Sequence, residues 1–322
     1  MKTHPSLLCT LILSSAAPAH AALLAYDGFD STVYNAVPLS SGGGFKNPDA
    51  GPSDALFYDN DTSRNNGSTE IGQNPYVHGF TGPWRYNANI SSSVYARLEP
   101  AQLSYAGLTT TTGHLNLHRS ASSSATGKAF ARDLNVGPST GFGSVLYIGG
   151  LIQRTSGTTF SLSLNFTGGG TRNISLSIAA DGITSMSGTD ATTVTSDSNL
   201  WVLDTPEFFI LKLENSVLDG VAGGTVGDQM SLYINPDLSN EAANTAALIL
   251  GDEDSSFFVT GNSGWTMGSL TIGSNAGAAG HSAIFDEFKI GTEWADMLST
   301  IPEPGTGALA FVSLLFACRR RR

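Results

Sequence analysis

The chain has 322 residues, of which 16 are lysine or arginine and 27 are aspartate or glutamate, so its formal net charge is −11. This excess of acidic residues excludes a nucleic-acid partner, because such a surface repels phosphates instead of neutralising them. The two cysteines, Cys9 and Cys318, lie in terminal apolar stretches, so the part between them forms no disulfide and must be stabilised by a buried core, for which its length is sufficient.

The N-terminus has the pattern of an export signal. Lys2 precedes the apolar stretch 7–13, and Ala19 and Ala21 supply the small residues that signal peptidase accepts at a cleavage site. We predict that residues 1–21 are a signal peptide, cut by signal peptidase after Ala21 or after the alanine that follows it.

Residues 22–300 are predicted to form the exported domain, with a loop-rich insertion over residues 40–93, which are rich in glycine, asparagine and proline. Tyr76, Trp84 and Tyr86 lie in or beside the second half of this insertion. Their rings supply flat faces on which sugars stack, and we name them as candidate carbohydrate-binding residues. The alternative is that the rings pin the loop to the core.

The insertion also contains a candidate calcium loop. Asp59, Asp61, Ser63 and Glu70 match the oxygen-bearing positions 1, 3, 5 and 12 of an EF-hand-like loop. Arg64 occupies the position of the glycine in that motif, and neither flank is predicted to be helical. A calcium site and a plain polar loop both remain open, and no other cofactor is expected.

Alternation of apolar and polar residues with a period of two predicts strands. It is clearest over residues 160–166, 174–178 and 230–234. Further strands are predicted over residues 24–29, 114–118, 128–134, 144–153, 208–213, 270–272 and 283–290. Turn-forming pairs such as Asp181-Gly182 and Asn235-Pro236 separate them. So many short strands need two packed antiparallel sheets, and we predict an all-β sandwich of the jelly-roll type.

One helix is predicted in the domain, over residues 293–298. Thr292 is expected to cap it, with Glu293 at the positive N-terminal end of the helix dipole.

The acidic residues do not have the spacing of a catalytic pair. A glycoside hydrolase aims two carboxylates into one cleft, for instance from alternate positions of a strand. Asp252, Glu253 and Asp254 are expected in a solvated turn. Asp286 and Glu287 are neighbours on a predicted strand, so we expect them on opposite faces, with at least one bonded to a nearby loop.

The sequence also lacks the residue patterns of a zinc site and of a catalytic nucleophile. His114 and His118 are about 13 Å apart along a strand, too far to bind one zinc ion together, and we expect them at the surface or at a sheet edge. The sequence has no Gly-x-Ser-x-Gly elbow and no phosphate-binding loop. We therefore predict no catalytic residue.

The C-terminus combines three features, which are, in order, Pro302-Glu303-Pro304, the small and apolar residues 305–318, and Arg319, Arg320, Arg321 and Arg322. As a helix the apolar stretch is about 21 Å long, short of the roughly 30 Å hydrocarbon core of a bilayer. The arginines hold its end at the cytoplasmic face, and the prolines keep the preceding segment extended and open to a protease. This design suits a transient membrane stop that an enzyme recognises and cuts.

These C-terminal features resemble the PEP-CTERM sorting signal of Gram-negative bacteria that make extracellular polysaccharide. The resemblance implies that residues 301–322 are a sorting tail with a short transmembrane helix in the inner membrane. It further implies that an exosortase recognises and removes the tail, and that the protein then reaches the cell surface or the extracellular matrix.

A second resemblance concerns the domain itself. Residues 23–30 (LLAYDGFD), 79–84 (GFTGPW) and 283–291 (AIFDEFKIG), followed by Trp294-Ala295-Asp296, resemble surface proteins with concanavalin A-like, laminin G-like sandwiches. The resemblance implies that the last strand pairs beside the first and closes the sandwich. It also implies a carbohydrate-binding or adhesive role, in some members with calcium.

Together these features predict an exported, exosortase-sorted protein of the cell surface or matrix, with a non-catalytic sandwich that binds carbohydrate or exopolysaccharide. The alternative is a divergent glycan hydrolase or lyase on the same scaffold.

Overall fold

A computed structural model of the chain describes residues 23–29, 79–80, 85–86, 94–99, 101–119, 128–136, 145–155, 157–167, 171–189, 193–218, 226–251, 266–276 and 282–298. Several sequence predictions lie outside these residues: the signal peptide 1–21, the calcium loop with Asp59, Asp61, Ser63 and Glu70, the aromatic residues Tyr76 and Trp84, the acids 252–254 and the tail 301–322. They stay predictions.

The described residues contain fifteen β-strands. In chain order they are β1 (Ala25–Asp27), β2 (Arg85–Tyr86), β3 (Val94–Glu99), β4 (His114–Arg119), β5 (Lys128–Val136), β6 (Val145–Arg154), β7 (Thr158–Thr167), β8 (Thr171–Ile178), β9 (Thr184–Gly188), β10 (Val194–Thr195), β11 (Glu207–Leu218), β12 (Val226–Ile234), β13 (Leu248–Leu250), β14 (Thr266–Ala276) and β15 (Ser282–Gly291). The helices described are two single 3-10 turns, Glu241–Ala243 and Trp294–Met297.

The strands form two antiparallel sheets. The eight-stranded sheet has the order β13-β12-β11-β6-β15-β4-β3, with β1 also paired to β15, and the seven-stranded sheet has the order β10-β9-β8-β7-β14-β5-β2. This arrangement confirms the predicted all-β fold of two packed antiparallel sheets.

The last strand lies beside the first. Ala25 of β1 is paired with Ile290 of β15, and the N–H of Leu24 donates a hydrogen bond to the Ile290 carbonyl at 2.7 Å. On its other side β15 pairs with β6, so it is an interior strand of the larger sheet. This is the closure that the resemblance to concanavalin A-like proteins implied.

Alternate residues of the strands form a core between the sheets. In β7, Phe160, Leu162, Leu164 and Phe166 are buried in this core, while the residues between them are half-exposed. Each such large apolar side chain contributes about 1.5–3 kcal/mol when fully buried. The period-two pattern that predicted β7 therefore also identifies which face of the strand is buried and which is exposed.

A second apolar cluster covers part of the outer face of the eight-stranded sheet. Its sheet residues include Leu151, Phe208 and Ile210, and loop residues such as Leu103 pack on them. Trp294 belongs to the same cluster and donates its indole N–H to the Leu238 carbonyl at 3.1 Å. The larger sheet is thus covered on its outer face by loops over one part of its width.

The predicted helix 293–298 is in fact one 3-10 turn, Trp294–Met297. The cap is also different from the prediction: the carboxylate of Asp296, not the Thr292 hydroxyl, accepts the N–H groups of Thr292 and Glu293, at 2.8 and 3.0 Å. A Cβ on Gly291 would lie 2.4 Å from the Cβ of Asp296, so glycine is what lets this carboxylate approach.

Neither 3-10 turn within the described ranges has the length and apolar character that a membrane-crossing helix requires.

Candidate functional site

Two clusters of ionisable side chains lie on the eight-stranded sheet, one buried and one open to solvent. The buried cluster is centred on a β-bulge in β15, where the register shifts between Asp286 and Lys289 and Glu287 has a φ of 51°. Asp286, Glu287 and Lys289 are all fully buried. One oxygen of Asp286 accepts the N–H of Glu287 at 2.9 Å, and the other has no hydrogen-bond partner.

Glu287 holds a loop against the sheet. Its carboxylate accepts the N–H of Thr111 at 2.5 Å and the hydroxyl of Tyr26 at 2.9 Å. Lys289 is 3.7 Å from the same carboxylate and donates to the Met297 carbonyl at 3.3 Å. Burial raises the pKa of Glu287, although the Lys289 charge and these hydrogen bonds oppose the change. The expectation that one of the two acids bonds a neighbouring loop is confirmed.

The expectation that Asp286 and Glu287 lie on opposite faces of the strand is wrong. Phe285 and Phe288, which flank the two acids, both belong to the core between the sheets, and Asp286 is paired with Leu151 of the second apolar cluster, so both acids lie on the outer face. The bulge is the reason, because an extra residue breaks the strict alternation of side chains along a strand.

A third buried acid joins the two sheets. The carboxylate of Asp27 in β1 lies 2.6 Å from Nη1 of Arg132 in β5, and both side chains are buried. The guanidinium also lies over the ring of Phe80, 4.4 Å from its centroid. These acids bind other parts of the protein inside the sandwich, which makes them structural residues.

The carboxyl group of Asp286 is expected to make the protein less stable as the pH rises. Burial, together with the charge of Glu287, raises the pKa of Asp286 to about 9, against about 3.9 in the unfolded chain. Between these values the folded state keeps a proton that the unfolded state releases, so this contribution to stability is complete below about pH 4 and is lost towards pH 9.

We therefore predict that Asp286→Asn raises the free energy of unfolding at pH 8 by at least about 1 kcal/mol and flattens its decline between about pH 5 and 9. Asparagine keeps the oxygen that accepts the Glu287 N–H. Urea unfolding across this pH range checks the prediction, and parallel curves for the two proteins would contradict it.

The open cluster lies on the outer face of the same sheet, beside the loop-covered part. Lys212 in β11 is its centre: its Nζ is 2.9 Å from Oε1 of Glu214 and 2.8 Å from Oε1 of Glu241. The Tyr147 hydroxyl donates to the other oxygen of Glu241 at 2.8 Å. With Tyr233, whose ring lies nearby, these residues are named the Lys212 cluster.

Trp294 fixes the two tyrosine rings of the cluster. Its ring is 5.9 Å from that of Tyr147 and 5.3 Å from that of Tyr233, and both contacts are edge-to-face. Such pairs contribute about 0.5–1.5 kcal/mol beyond the area they bury. The second apolar cluster thus serves as the support on which the Lys212 cluster is held.

The polar groups of the cluster reach the surface. The exposed fraction is 15% for the side chain of Lys212, 22% for Glu214 and 32% for Glu241. Burial alone lowers the pKa of Lys212, but its hydrogen bonds and attraction to Glu241 and Glu214 outweigh this and raise it. Burial and the hydrogen bond to Glu241 raise the pKa of Tyr147. Lys212 therefore stays an ammonium group beside the two glutamates, and the tyrosines stay neutral phenols.

A row of side chains crosses the sheet at this point. The strand register puts Tyr147 of β6, Lys212 of β11, Ser231 of β12 and Ile249 of β13 side by side. At about 4.8 Å between strands, the row is about 14 Å wide. Ile249, at its end, is 48% exposed. Tyr147 and Ser231 are buried within the row, so Lys212 and Ile249 form its solvent-accessible part.

The sequence predictions had placed the site elsewhere. Tyr86 lies in β2, the edge strand of the seven-stranded sheet, where its backbone pairs with Phe130. His114, expected at the surface or an edge, is instead buried in β4 between β15 and β3, with its Nδ1 2.6 Å from the Ala101 carbonyl. Within the described part of the chain, no group of three or more histidine, cysteine and acidic side chains is arranged to hold a metal ion.

No protein-family model matches the chain, and no curated protein matches it. Solved structures with similar backbones include a Bacillus subtilis protein of unknown function with a galectin-like fold, at 10% identity and a TM-score of 0.37, covering 61% of this chain and 89% of that one. Alginate lyase vAL-1 from a Chlorella virus shows 9% identity and a TM-score of 0.37, covering 61% and 90%. The exoplasmic/lumenal domain of VIP36, in its Ca²⁺/Man3GlcNAc-bound form, shows 8% identity and a TM-score of 0.35, covering 66% and 87%. Similarity this distant assigns no ligand and no reaction to this chain.

Proposed function

We propose that this chain is an exported, exosortase-sorted protein of the cell surface or extracellular matrix of a Gram-negative bacterium, and that its sandwich binds carbohydrate without cleaving it. The Lys212 cluster is the observation that carries the binding proposal. The signal peptide, the removal of the tail by an exosortase and the passage through the inner membrane rest on the sequence patterns at the two ends.

The chemistry of the Lys212 cluster suits a sugar. Sugar hydroxyls both donate and accept hydrogen bonds, and the cluster offers two carboxylate acceptors beside an ammonium donor. Two tyrosine rings, which combine an apolar body with a polar hydroxyl, border these groups. Because Trp294 and the ion pairs already hold the side chains in place, little conformational entropy is lost on binding.

The proposal of binding without cleavage rests on the bonds that the carboxylates of Glu214 and Glu241 already make. A glycoside hydrolase needs one carboxylic acid that delivers a proton to the leaving oxygen. Both Glu214 and Glu241 accept from the Lys212 ammonium, which leaves neither arranged as a proton donor. Both acids of the β15 bulge are buried, and Glu287 is bonded to Thr111.

A glycan hydrolase stays a second candidate for one reason. Since Oε1 of Glu214 and Oε1 of Glu241 are 2.9 and 2.8 Å from the same nitrogen, the two oxygens are less than about 6 Å apart, close to the roughly 5–5.5 Å between the carboxyl groups of retaining glycosidases. Release of reducing ends from a polysaccharide, lost in Glu241→Gln, would favour this candidate over binding alone.

Affinity electrophoresis of the purified protein in gels that contain polysaccharide tests the binding proposal. We predict that Tyr233→Ala and Lys212→Ala each weaken retention about tenfold, which corresponds to about 1.4 kcal/mol, because each removes one contact surface of the cluster. Ser177→Ala, on the exposed outer face of the seven-stranded sheet, is the matched control and should migrate like the wild type. Unfolding midpoints of the variants show whether they remain folded. Equal retention of all four proteins would contradict the assignment of the site.

A further inference from the structure

We infer that the Lys212 cluster selects uncharged glycans and rejects those that carry carboxylate groups. This inference rests on the proposed carbohydrate-binding function and names its ligand class. It follows from the charges of the cluster and from the hydrogen bonds that these charges already make.

The charges of the cluster do not balance. One ammonium group, on Lys212, faces two carboxylates, on Glu214 and Glu241, and both tyrosines are neutral, so the site carries one net negative charge. A uronate or sialate carboxylate would have to approach this site against that charge. Like charges in contact near a protein surface repel each other more strongly than in bulk water, because the effective dielectric constant is lower there.

The ammonium group of Lys212 does not offset this repulsion, because its positive charge is already paired with two carboxylates. Lys212 bonds both carboxylates and lies 5.8 Å from the centroid of the Tyr147 ring. An ammonium group has three N–H donors, so one remains beside the two ion pairs, but a sugar carboxylate that accepted it would lie next to the carboxylates of Glu214 and Glu241. An arginine or lysine that recognises anions would instead be expected to stand free of carboxylates.

The groups of the cluster that remain available to a ligand are hydrogen-bond acceptors and apolar side chains. The ion pair to Lys212 uses Oε1 of Glu214, and 22% of that side chain is exposed, so its carboxylate can accept a sugar hydroxyl. Ile249, at the end of the row across the strands, and the half-buried ring of Tyr233 provide apolar surface. Acceptors flanked by apolar surface match a polymer with many hydroxyl groups and no charge. The overall excess of acidic residues, 27 against 16 basic ones, also repels acidic polymers at long range.

Reversing the charge of the cluster tests the inference. Glu214→Gln combined with Glu241→Gln changes the net charge of the site from −1 to +1 while keeping side chains of the same shape. The probes are neutral polysaccharides (dextran, mannan and galactan) and the uronate polymer polygalacturonate, each compared by affinity electrophoresis at low and moderate salt.

The wild type should be retained by at least one neutral polymer and not by polygalacturonate, with less than about a twofold change between low and moderate salt, because no ion pair with the ligand is screened. The double variant should lose at least about tenfold in retention by the neutral polymer and gain retention by polygalacturonate that salt removes. Asp181→Asn combined with Asp197→Asn neutralises two exposed acids, in the loops after β8 and β10 of the other sheet, and is the charge-matched control; it should behave like the wild type.

Three results would overturn the inference. If the wild type binds polygalacturonate more tightly than the neutral polymers, the ligand class is wrong while the carbohydrate-binding function stands. If the cluster double variant and the control with both Asp181→Asn and Asp197→Asn change retention equally, the selection comes from overall charge and not from the cluster. If the wild type binds no polymer, or cleaves one, the proposed function fails as well.

Discussion

Replacing Asp27 by alanine is expected to lower the free energy of unfolding by about 3–5 kcal/mol, the usual effect of breaking a buried ion pair from one side. Asp27 is the carboxylate partner of Arg132 inside the sandwich, at 2.6 Å, and its other oxygen accepts the N–H of Phe29 at 3.0 Å. The variant leaves a buried guanidinium without its carboxylate at a point where the two sheets meet. Urea unfolding of the wild type and the variant measures the difference.

A paired replacement separates the charge from the packing. Asp27→Leu with Arg132→Met removes both charges and fills the space with apolar atoms, so it should recover at least about half of the loss. Lys212→Ala, which breaks a partly exposed pair, should cost less than about 1 kcal/mol. A double variant as unstable as Asp27→Ala would show that the pair is not the reason for the destabilisation.

Replacing Pro302, Glu303 and Pro304 together by alanine is expected to stop the proposed sorting of the protein. Without the prolines the segment can continue the helix predicted over residues 305–318, and the extended site that we propose for an exosortase is lost. In the bacterium, the variant should keep its tail and accumulate in the inner-membrane fraction, whereas the wild type should lose the tail and reach the surface or the medium. Cell fractionation and mass spectrometry of the C-terminus measure both outcomes.

Gly305→Ala is the control for this variant, because it changes the adjacent residue and leaves the three-residue motif intact. It should be processed like the wild type. Identical cleavage and location of the triple variant and the wild type would remove the basis for the sorting proposal, without affecting the binding proposal, which rests on the Lys212 cluster.

The strands that were predicted from the sequence are those in which one face is buried and the other is exposed to solvent. β7 is the clearest case, because every second residue from Phe160 to Phe166 is apolar and is buried in the core. The prediction failed where this contrast is weak. β9 (Thr184–Gly188) has one large apolar residue, Met186, among small ones, and β13 (Leu248–Leu250) is apolar throughout its three residues. Neither segment shows a period, so neither was predicted as a strand.

The candidate site could be predicted only in part. Lys212 and Glu214 are two residues apart in β11, so the period of a strand places them on one face. The strand prediction ended at residue 213, one position short of Glu214. Glu241 comes from a loop that folds over the sheet, and nothing in the local sequence shows that it reaches Lys212. The cluster depends on tertiary structure.

The two groups of acids on the eight-stranded sheet illustrate a general difference between structural and binding residues. Asp286 and Glu287, of which at least one was expected to bond a nearby loop, are fully buried, and Glu287 bonds the loop that includes Thr111. Glu214 and Glu241 are partly exposed and share one lysine. Burial and existing partners, which the sequence does not state, decide which acids remain available to a ligand.

The position of a bound oligosaccharide is the measurement that tests the central claim most directly. A crystal structure of the protein with a neutral oligosaccharide should show the sugar on the outer face of the eight-stranded sheet, hydrogen-bonded to Glu214 and in contact with Tyr233 or Ile249. A sugar bound instead on the outer face of the seven-stranded sheet, or at the edge strand that contains Tyr86, would contradict the account.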